Sequence, residues 1–382
     1  MPLSTAARSV RGSAIRDLLA LTSRPEVISL AGGLPAADLM PRERIAAAAA
    51  AALAHPASIQ YGETAGLPAL RVVLAAHETA RCRREITDVV VTTGSQQALD
   101  LVARAVLDPG DAVVVEDPAY VGALQVFQAA GAALHPVPLD GDGLRVDVLE
   151  DHLRDGLRPR LVHTVSTFHN PRGVTLSPQR RVRLAGLAER YGFTVVEDDP
   201  YGLLAFDGAP PLPVAAHSDR VVRLGSASKV LAPALRVGWL SGPPGLLAAV
   251  ELLKQCTDLC TSSLTQAIAA DLLADTAFLD AHLSGVRAAT ASRAHAFTTA
   301  VARHLPGVTC SAPTGGMFCW LELPGVDTTA LLPRALEHGV GFVPGGAFAV
   351  EAPQPHAIRC CYASHPEPVI HEAVRRLARA AT

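Results

Sequence analysis

Between residues 89 and 240 the chain repeats one unit: a short β-branched run, a turn, then an Ala/Leu-rich amphipathic stretch. Residues 89–93 precede 95–107, residues 112–116 precede 120–130, and residues 161–165 precede 178–191. Two further runs, 193–197 and 220–224, follow. Strands alternating with helices in this way predict an α/β fold with a doubly wound, mainly parallel sheet. In such sheets ligands bind outside the carboxyl ends of the strands. Ser95, Tyr120, Asn170, Asp198 and Lys229 all fall just after strand-like runs, so five chemically useful side chains are expected on one sheet edge.

The texture changes near residue 285. A helical stretch over 282–304 leads into Pro306-Gly307, then into short strands around 317–321 and near Phe342 and Ile358. This predicts a second, smaller α+β domain. Residues 1–45 carry one helical stretch, 13–21, followed by Pro- and Gly-rich segments expected to wrap onto that domain. The expected division is therefore a large domain over 46–284 and a small one made of 1–45 and 285–382. At 382 residues with 49% hydrophobic content, the chain can bury a large core.

Composition excludes several classes. A net charge of −3 and a pI near 6.5 give no electrostatic footprint for nucleic acid. The longest apolar run, 45–55, is mostly alanine and far too short to span a bilayer. No basic segment followed by an apolar core opens the chain, so a cytoplasmic protein is expected. Seven scattered cysteines, with no Cys-x-x-Cys, read as reduced thiols. Cys256 and Cys260 share a helical face, but no His pair completes a zinc set, and no metal is expected.

Only two of the 33 basic residues are lysines, Lys229 and Lys254. Arg serves where charge alone is needed, but an amine that loses its proton and attacks a carbonyl must be Lys. Lys229 closes Gly225-Ser226-Ala227-Ser228-Lys229, and Arg236 follows seven residues later. Hydroxyls, amine and guanidinium so close together suit a carbonyl partner that also carries a phosphate. Lys254 lies three residues after Glu251 on an expected helix and reads as a solvated charge pair.

Other residues admit two readings each. Gly94-Ser95-Gln96-Gln97 joins a strand to a helix; it is either an ordinary N-cap or an anion site at a helix N-terminus. Glu197-Asp198-Asp199-Pro200-Tyr201 places three carboxylates at a strand end, able to cap a helix, bind a metal or hold a protonated ring nitrogen. Alternation sends Glu197 and Asp198 to opposite sides. Asn170, in a Pro- and Gly-bearing turn, is a turn former or a donor to a phenolate oxygen. Tyr120 is a core aromatic or a stacking platform. Arg359 is a strand arginine or a bidentate carboxylate clamp.

Taken together and in order, these motifs resemble one family. They are Ser-Ala-Ile-Arg at 13–16, Ala-Gly-Gly-Leu-Pro at 31–35, Gln60-Tyr61-Gly62-Glu63-Thr64-Ala65-Gly66 and Thr93-Gly94-Ser95-Gln96-Gln97. Asn170-Pro171-x-Gly173, Glu197-Asp198-Asp199-Pro200-Tyr201 and Ser-x-Ser-Lys-x-x-Ala-Pro-x-Leu-Arg-x-Gly-Trp at 226–239 continue the series. Pro313-Thr314-Gly315-Gly316-Met317-Phe318 and Val343-Pro344-Gly345-Gly346-x-Phe348 end it. The chain resembles the fold-type I pyridoxal-phosphate aminotransferases, in the subgroup of 2-aminoadipate and kynurenine aminotransferases.

The resemblance implies pyridoxal 5′-phosphate as cofactor, bonded to Lys229 as an internal aldimine, and transfer of an amino group between an L-α-amino acid and a 2-oxo acid. It implies that Asp198 pairs with the pyridine nitrogen and that Asn170 and Tyr201 hold the phenolic oxygen. Tyr120 stacks on the ring, while Ser95, Gln96, Ser226, Ser228 and Arg236 hold the phosphate. Lys229, Asp198 and Tyr201 form the catalytic group. Arg359, Gly33 and Asn170 meet the substrate, and Arg16 matches a position that meets acidic side chains. Tyr61 is expected to complete the neighbouring subunit's site in a homodimer.

Two departures stand beside the site: His169 and Arg172 flank the Asn-Pro pair where the family usually has Thr in the place of Arg172. A decarboxylating oxidative deaminase or a lyase would share the same lysine and aspartate. A non-catalytic regulator of this fold would carry a winged helix ahead of it, and here the motifs begin by residue 13.

Overall fold

The computed structural model describes Arg8 and residues 24–382. Arg16 and the expected helix over 13–21 lie outside the described residues. Fourteen strands occur among the described residues, in chain order β1 (Ile28–Ser29), β2 (Val90–Thr92), β3 (Ala112–Asp117), β4 (Ala133–Asp140), β5 (Gly143–Leu144), β6 (Leu161–Thr164) and β7 (Thr194–Asp198). They continue with β8 (Val221–Ser226), β9 (Gly238–Ser241), β10 (Thr309–Cys310), β11 (Phe318–Glu322), β12 (Val340–Gly341), β13 (Val343–Pro344) and β14 (Ala357–Cys361).

Eight of them form one sheet in the order β2-β9-β8-β7-β6-β3-β4-β5. From β8 to β4 every pairing is parallel, while β9 runs antiparallel to β2 and β8 and β5 antiparallel to β4. Period-two alternation feeds both faces. Val113, Val115, Leu161 and Val196 enter one apolar cluster with the helices Ser95–Val106, Val121–Ala129 and Pro244–Thr257. Val114, Val162 and Val195 enter another with the helices Val146–Arg154 and Pro178–Tyr191. Helices on both faces make the sheet doubly wound, as the repeating unit predicts.

Strand β4 carries no clear sequence signal because Pro136 and Pro138 interrupt it. Its tolerance of proline follows from direction. The amide of Ala133 donates inward to Asp111 O at 2.9 Å, so even-numbered positions face outward, where the first backbone partner is Arg145 N on Pro138 O at 2.9 Å, a bond that asks only for the proline carbonyl. A residue without an N–H costs nothing on that side.

A second sheet, β10-β11-β14-β13, is antiparallel throughout, and β1 pairs in parallel with β12. The helices Thr276–His304 and Glu367–Ala381 lie against one another. The first begins earlier than residue 282, because Asp275 caps it by accepting from Phe278 N at 3.0 Å. Boundaries drawn at 45/46 and 284/285 both fall inside helices, Arg42–Leu53 and Thr276–His304.

One buried ion pair ties the sheet to its helical layer. Arg181 has no exposed surface, and its guanidinium lies 3.2 Å from Glu197 while donating to Ser166 O, Thr167 Oγ1 and Leu176 O. Removing only the cation leaves a buried carboxylate without its charge partner. Arg181→Met is expected to cost about 3–5 kcal/mol of folding stability, measured by urea unfolding.

Candidate active site

The parallel strands deliver their functional residues to one edge. β2 ends at Thr92, and Gly94 (φ +92°) turns the chain so that the next helix begins at Ser95. The conformation favours glycine, and a Cβ on Gly94 would sit 2.5 Å from Arg236 Nη2 and push that guanidinium from its place. Arg236 itself adopts a left-handed conformation (φ +52°) and donates to Thr93 O at 3.0 Å. β8 ends at Ser226, whose Oγ accepts from Ser228 N at 3.1 Å and caps the single turn carrying Lys229. Ser226 and Ser228 are both buried. One end of the site thus gathers two hydroxyls, a guanidinium and a helix N-terminus, the chemistry of an anion site.

At the other end stands Asp198, the last residue of β7. It is 4% exposed, and its Oδ1 has no hydrogen-bond partner among the described residues. Its Oδ2 lies 3.9 Å from His163 Nε2, which is also unpaired. Its neighbours in sequence are fully engaged elsewhere. Glu197 is bound by Arg181, Ser166 and the amides of Val214 and Ala215. Asp199 accepts from Arg223 Nη2 at 2.8 Å and Gly202 N at 2.8 Å. Burial opposes ionisation of Asp199, but Arg223 and Arg81 outweigh it and hold its carboxyl below the usual range.

Lys229 donates from Nζ to Gly33 O at 2.9 Å, which draws the segment after β1 over the strand ends. Burial is the largest influence on its amine and lowers its pKa; Arg359 and Arg236 push the same way against Cys361 and Asp198. Tyr120 donates to Gln96 Oε1 at 3.0 Å, and burial pushes its phenol up to about 12. Tyr201 is raised further by the same cause and packs edge-on against Phe318.

Arg359, from β14, is 3% exposed and lies between the rings of Phe318 (4.4 Å) and Phe348 (4.9 Å). It donates to Asn170 Oδ1 at 2.7 Å and to Ala31 O, and its Nε is unpaired. With Oδ1 occupied, Asn170 keeps its amide NH₂ as the free group. The small sheet is held at this edge by Asp117, which accepts from the amides of Val350, Glu351 and Ala352.

These residues share a single cavity of about 490 Å³. It is lined by Gly33, Ser95, Gln96, Tyr120, Asn170 and Asp198, and by Tyr201, Ser226, Ser228, Lys229, Arg236 and Arg359. Every site residue expected from sequence is there except two. Tyr61 is 78% exposed and lies outside this chain's own cavity, and Arg16 is outside the described residues. His163, Phe318 and Asp117 also border the site, a place that no sequence motif assigns them. A histidine inside the apolar run 161–165 was the one available signal.

Lys254 corrects the sequence reading. It is fully buried, and its partner is Asp258 at 2.6 Å, not Glu251. Positions 247, 250 and 254 share the buried stripe of the helix Pro244–Thr257, which turns the ammonium inward.

Comparison with known proteins places this geometry. Residues 25–377 match the family described as aminotransferase class I and II. The chain belongs to that family. An aromatic-amino-acid aminotransferase of Thermococcus litoralis is 40% identical over 98% of this chain and 93% of its own. A 2-aminoadipate transaminase of Thermus thermophilus is 40% identical over 97% of this chain and 94% of its own. The crystal structure of an α-aminoadipate aminotransferase from Thermus thermophilus, complexed with N-(5′-phosphopyridoxyl)-L-leucine, matches with a TM-score of 0.92 at 37% identity, covering 99% of this chain and 97% of that one. The chain is thus a pyridoxal-phosphate-dependent aminotransferase that moves an amino group between amino and oxo acids.

The aminotransferase cavity fits that cofactor on its own terms. An unpaired buried carboxylate oxygen suits a protonated ring nitrogen, and the anion site suits a phosphate. The lysine pKa makes a test possible. A lysine whose folded pKa lies below its unfolded one contributes least to stability below the folded pKa. That contribution grows as pH climbs towards the ordinary 10.5. In the cofactor-free protein, Lys229→Met should therefore be the more stable form at neutral pH, and the gap should close as pH approaches 10.5, read from unfolding midpoints across pH.

Proposed function

We propose that this chain is a homodimeric, cytoplasmic transaminase for L-α-amino acids and 2-oxo acids, with Lys229 as its Schiff-base lysine. The observation that carries this reading is the convergence of the Lys229 amine, the unpaired Asp198 oxygen and the Arg359 guanidinium on one cavity. Ser95, Gln96, Ser226, Ser228 and Arg236 would hold the cofactor phosphate, and Asp198 the ring nitrogen. Tyr201 and the free amide of Asn170 would hold the phenolic oxygen, with Tyr120 against the ring. Arg359 would grip the substrate α-carboxylate, with Gly33 beside it. When bound, the cofactor supplies an electron sink for negative charge developing at the substrate Cα.

The chain's own residues do the rest. Asp198 keeps a proton on the ring nitrogen. Arg359, held by aromatic faces and Asn170, orients the carboxylate so that the Cα–H bond presents itself to Lys229. The lowered pKa of Lys229 leaves more free amine near neutral pH, which suits proton transfer at Cα.

Tyr61 stands exposed beside the exposed Ile59, which supports a face shared with a second copy. In that arrangement the partner's Tyr61 reaches the phosphate. Arg16 is proposed to meet acidic substrate side chains. All seven cysteines are free, and no described helix is long and apolar enough to cross a membrane; a cytoplasmic location fits both.

Two experiments test this reading. A panel of L-amino acids is added singly to the cofactor-loaded protein. Conversion of the aldehyde form of the cofactor to its amine form, without carbon dioxide release or oxygen uptake, is the expected result. Gas release or oxygen uptake without that conversion identifies a decarboxylating oxidative enzyme instead. Lys229→Ala should lose all borohydride-fixed cofactor. Separately, mixing inactive Lys229→Ala with Tyr61→Ala should regain activity, because each mixed dimer holds one site with both residues intact. No gain on mixing places Tyr61 outside the neighbouring site.

A further inference from the structure

The second lysine is connected to the anion site. Lys254 Nζ donates to Asp258 Oδ1 at 2.6 Å. Asp258 Oδ2 accepts from Gln97 Nε2 at 2.7 Å and Thr93 Oγ1 at 3.0 Å. Gln97 Oε1 in turn accepts from Thr93 N at 2.7 Å, and Thr93 O accepts from Arg236 Nη2 at 3.0 Å. The chain of contacts therefore grips residues 93–97, the turn that presents Ser95 and the helix N-terminus, and ends on the guanidinium that faces the same anion.

We infer that Lys254 is a positioning residue for cofactor phosphate binding, acting through Asp258 on Thr93, Gln97 and Arg236. The inference rests on the reading that Ser95 and Arg236 hold the phosphate. Asp258 has a partly exposed side chain at the end of its helix; the buried ammonium one turn before holds its Oδ1, while Thr93 and Gln97 hold its Oδ2. Burial works against its ionisation, yet Lys254, Gln97 and Thr93 prevail and hold its carboxyl below the usual range. An ionised Asp258 accepts from Thr93 and Gln97 through Oδ2 and from Lys254 through Oδ1, each a charge-assisted bond; protonation weakens the set and displacement breaks it. The turn at Gly94 has little slack, since a Cβ on Gly238 would lie 2.5 Å from Gly94 C and 2.6 Å from Ser95 N. A shift of Thr93 is therefore passed to Ser95 and Arg236.

A merely structural lysine would affect stability and leave ligand choice alone. The test therefore compares pyridoxal phosphate with pyridoxal, which lacks the phosphate. The full chain is stripped of cofactor and titrated with each compound, following absorbance. Lys254→Met should weaken pyridoxal phosphate by about tenfold while barely moving pyridoxal, and Lys254→Arg should recover part of the loss. Thr93→Val, which keeps the shape but cuts the link to Asp258, should act in the same direction and serves if Lys254→Met does not fold. Arg236→Leu is run alongside. If it collapses the preference for the phosphate while the Lys254 and Thr93 variants leave that preference unchanged, the inference is overturned and the assignment of the phosphate site stands. If Arg236→Leu also leaves the preference unchanged, both fall together.

Discussion

A carboxylate inside a protein must be paired or well hydrogen-bonded, because the interior cannot replace the water it has lost. The end of β7 sets that problem three times in succession. Glu197 points to one side of the sheet and meets Arg181; Asp199 meets Arg223, which also binds Glu78. Asp198 points into the cavity, and one of its oxygens finds no partner. Arginines pair with both flanking acids and leave the middle one available for a cationic ligand. The positions of the other site residues make sense relative to that one open charge.

The cavity is completed by parts of the chain far apart in sequence. The large sheet contributes the lysine, the aspartate and the anion site. The small sheet contributes Arg359, held between Phe318 and Phe348 and bonded to Asn170. The segment after β1 supplies Gly33 O to Lys229 and Ala31 O to Arg359, so one stretch of backbone touches both cations. Asp117, at the end of β3, collects three amides from residues 350–352 and fixes the small sheet beside Tyr120. Placement of a substrate carboxylate relative to Lys229 thus depends on contacts that cross from one sheet to the other.

Local pattern carried most of the large sheet and its functional edge. Strand runs at 112–116 and 193–197 are legible because consecutive valines put apolar side chains on both faces and a turn follows. β4 was not, because prolines that would break an inner strand sit harmlessly on its open side. Lys254 shows the opposite error. Its pairing with Glu251 was plausible from spacing, but the buried face of a helix is chosen by what packs on it, and Leu247 and Val250 carried the lysine inward with them. His163 was concealed for a similar reason: only the register of β6 against β7 brings its ring near Asp198.

Sequence by itself determined the alternating α/β order, the residues at the strand ends and the rarity of lysine that drew attention to position 229. Those are consequences of local periodicity and of side-chain chemistry. Tertiary structure decided which of three adjacent acids has an oxygen left unpaired, which aromatic faces meet Arg359, and that the second lysine is buried with Asp258 as its partner. Each of these depends on which distant side chain fills the space opposite, and pairing across space is not written in any one stretch of sequence.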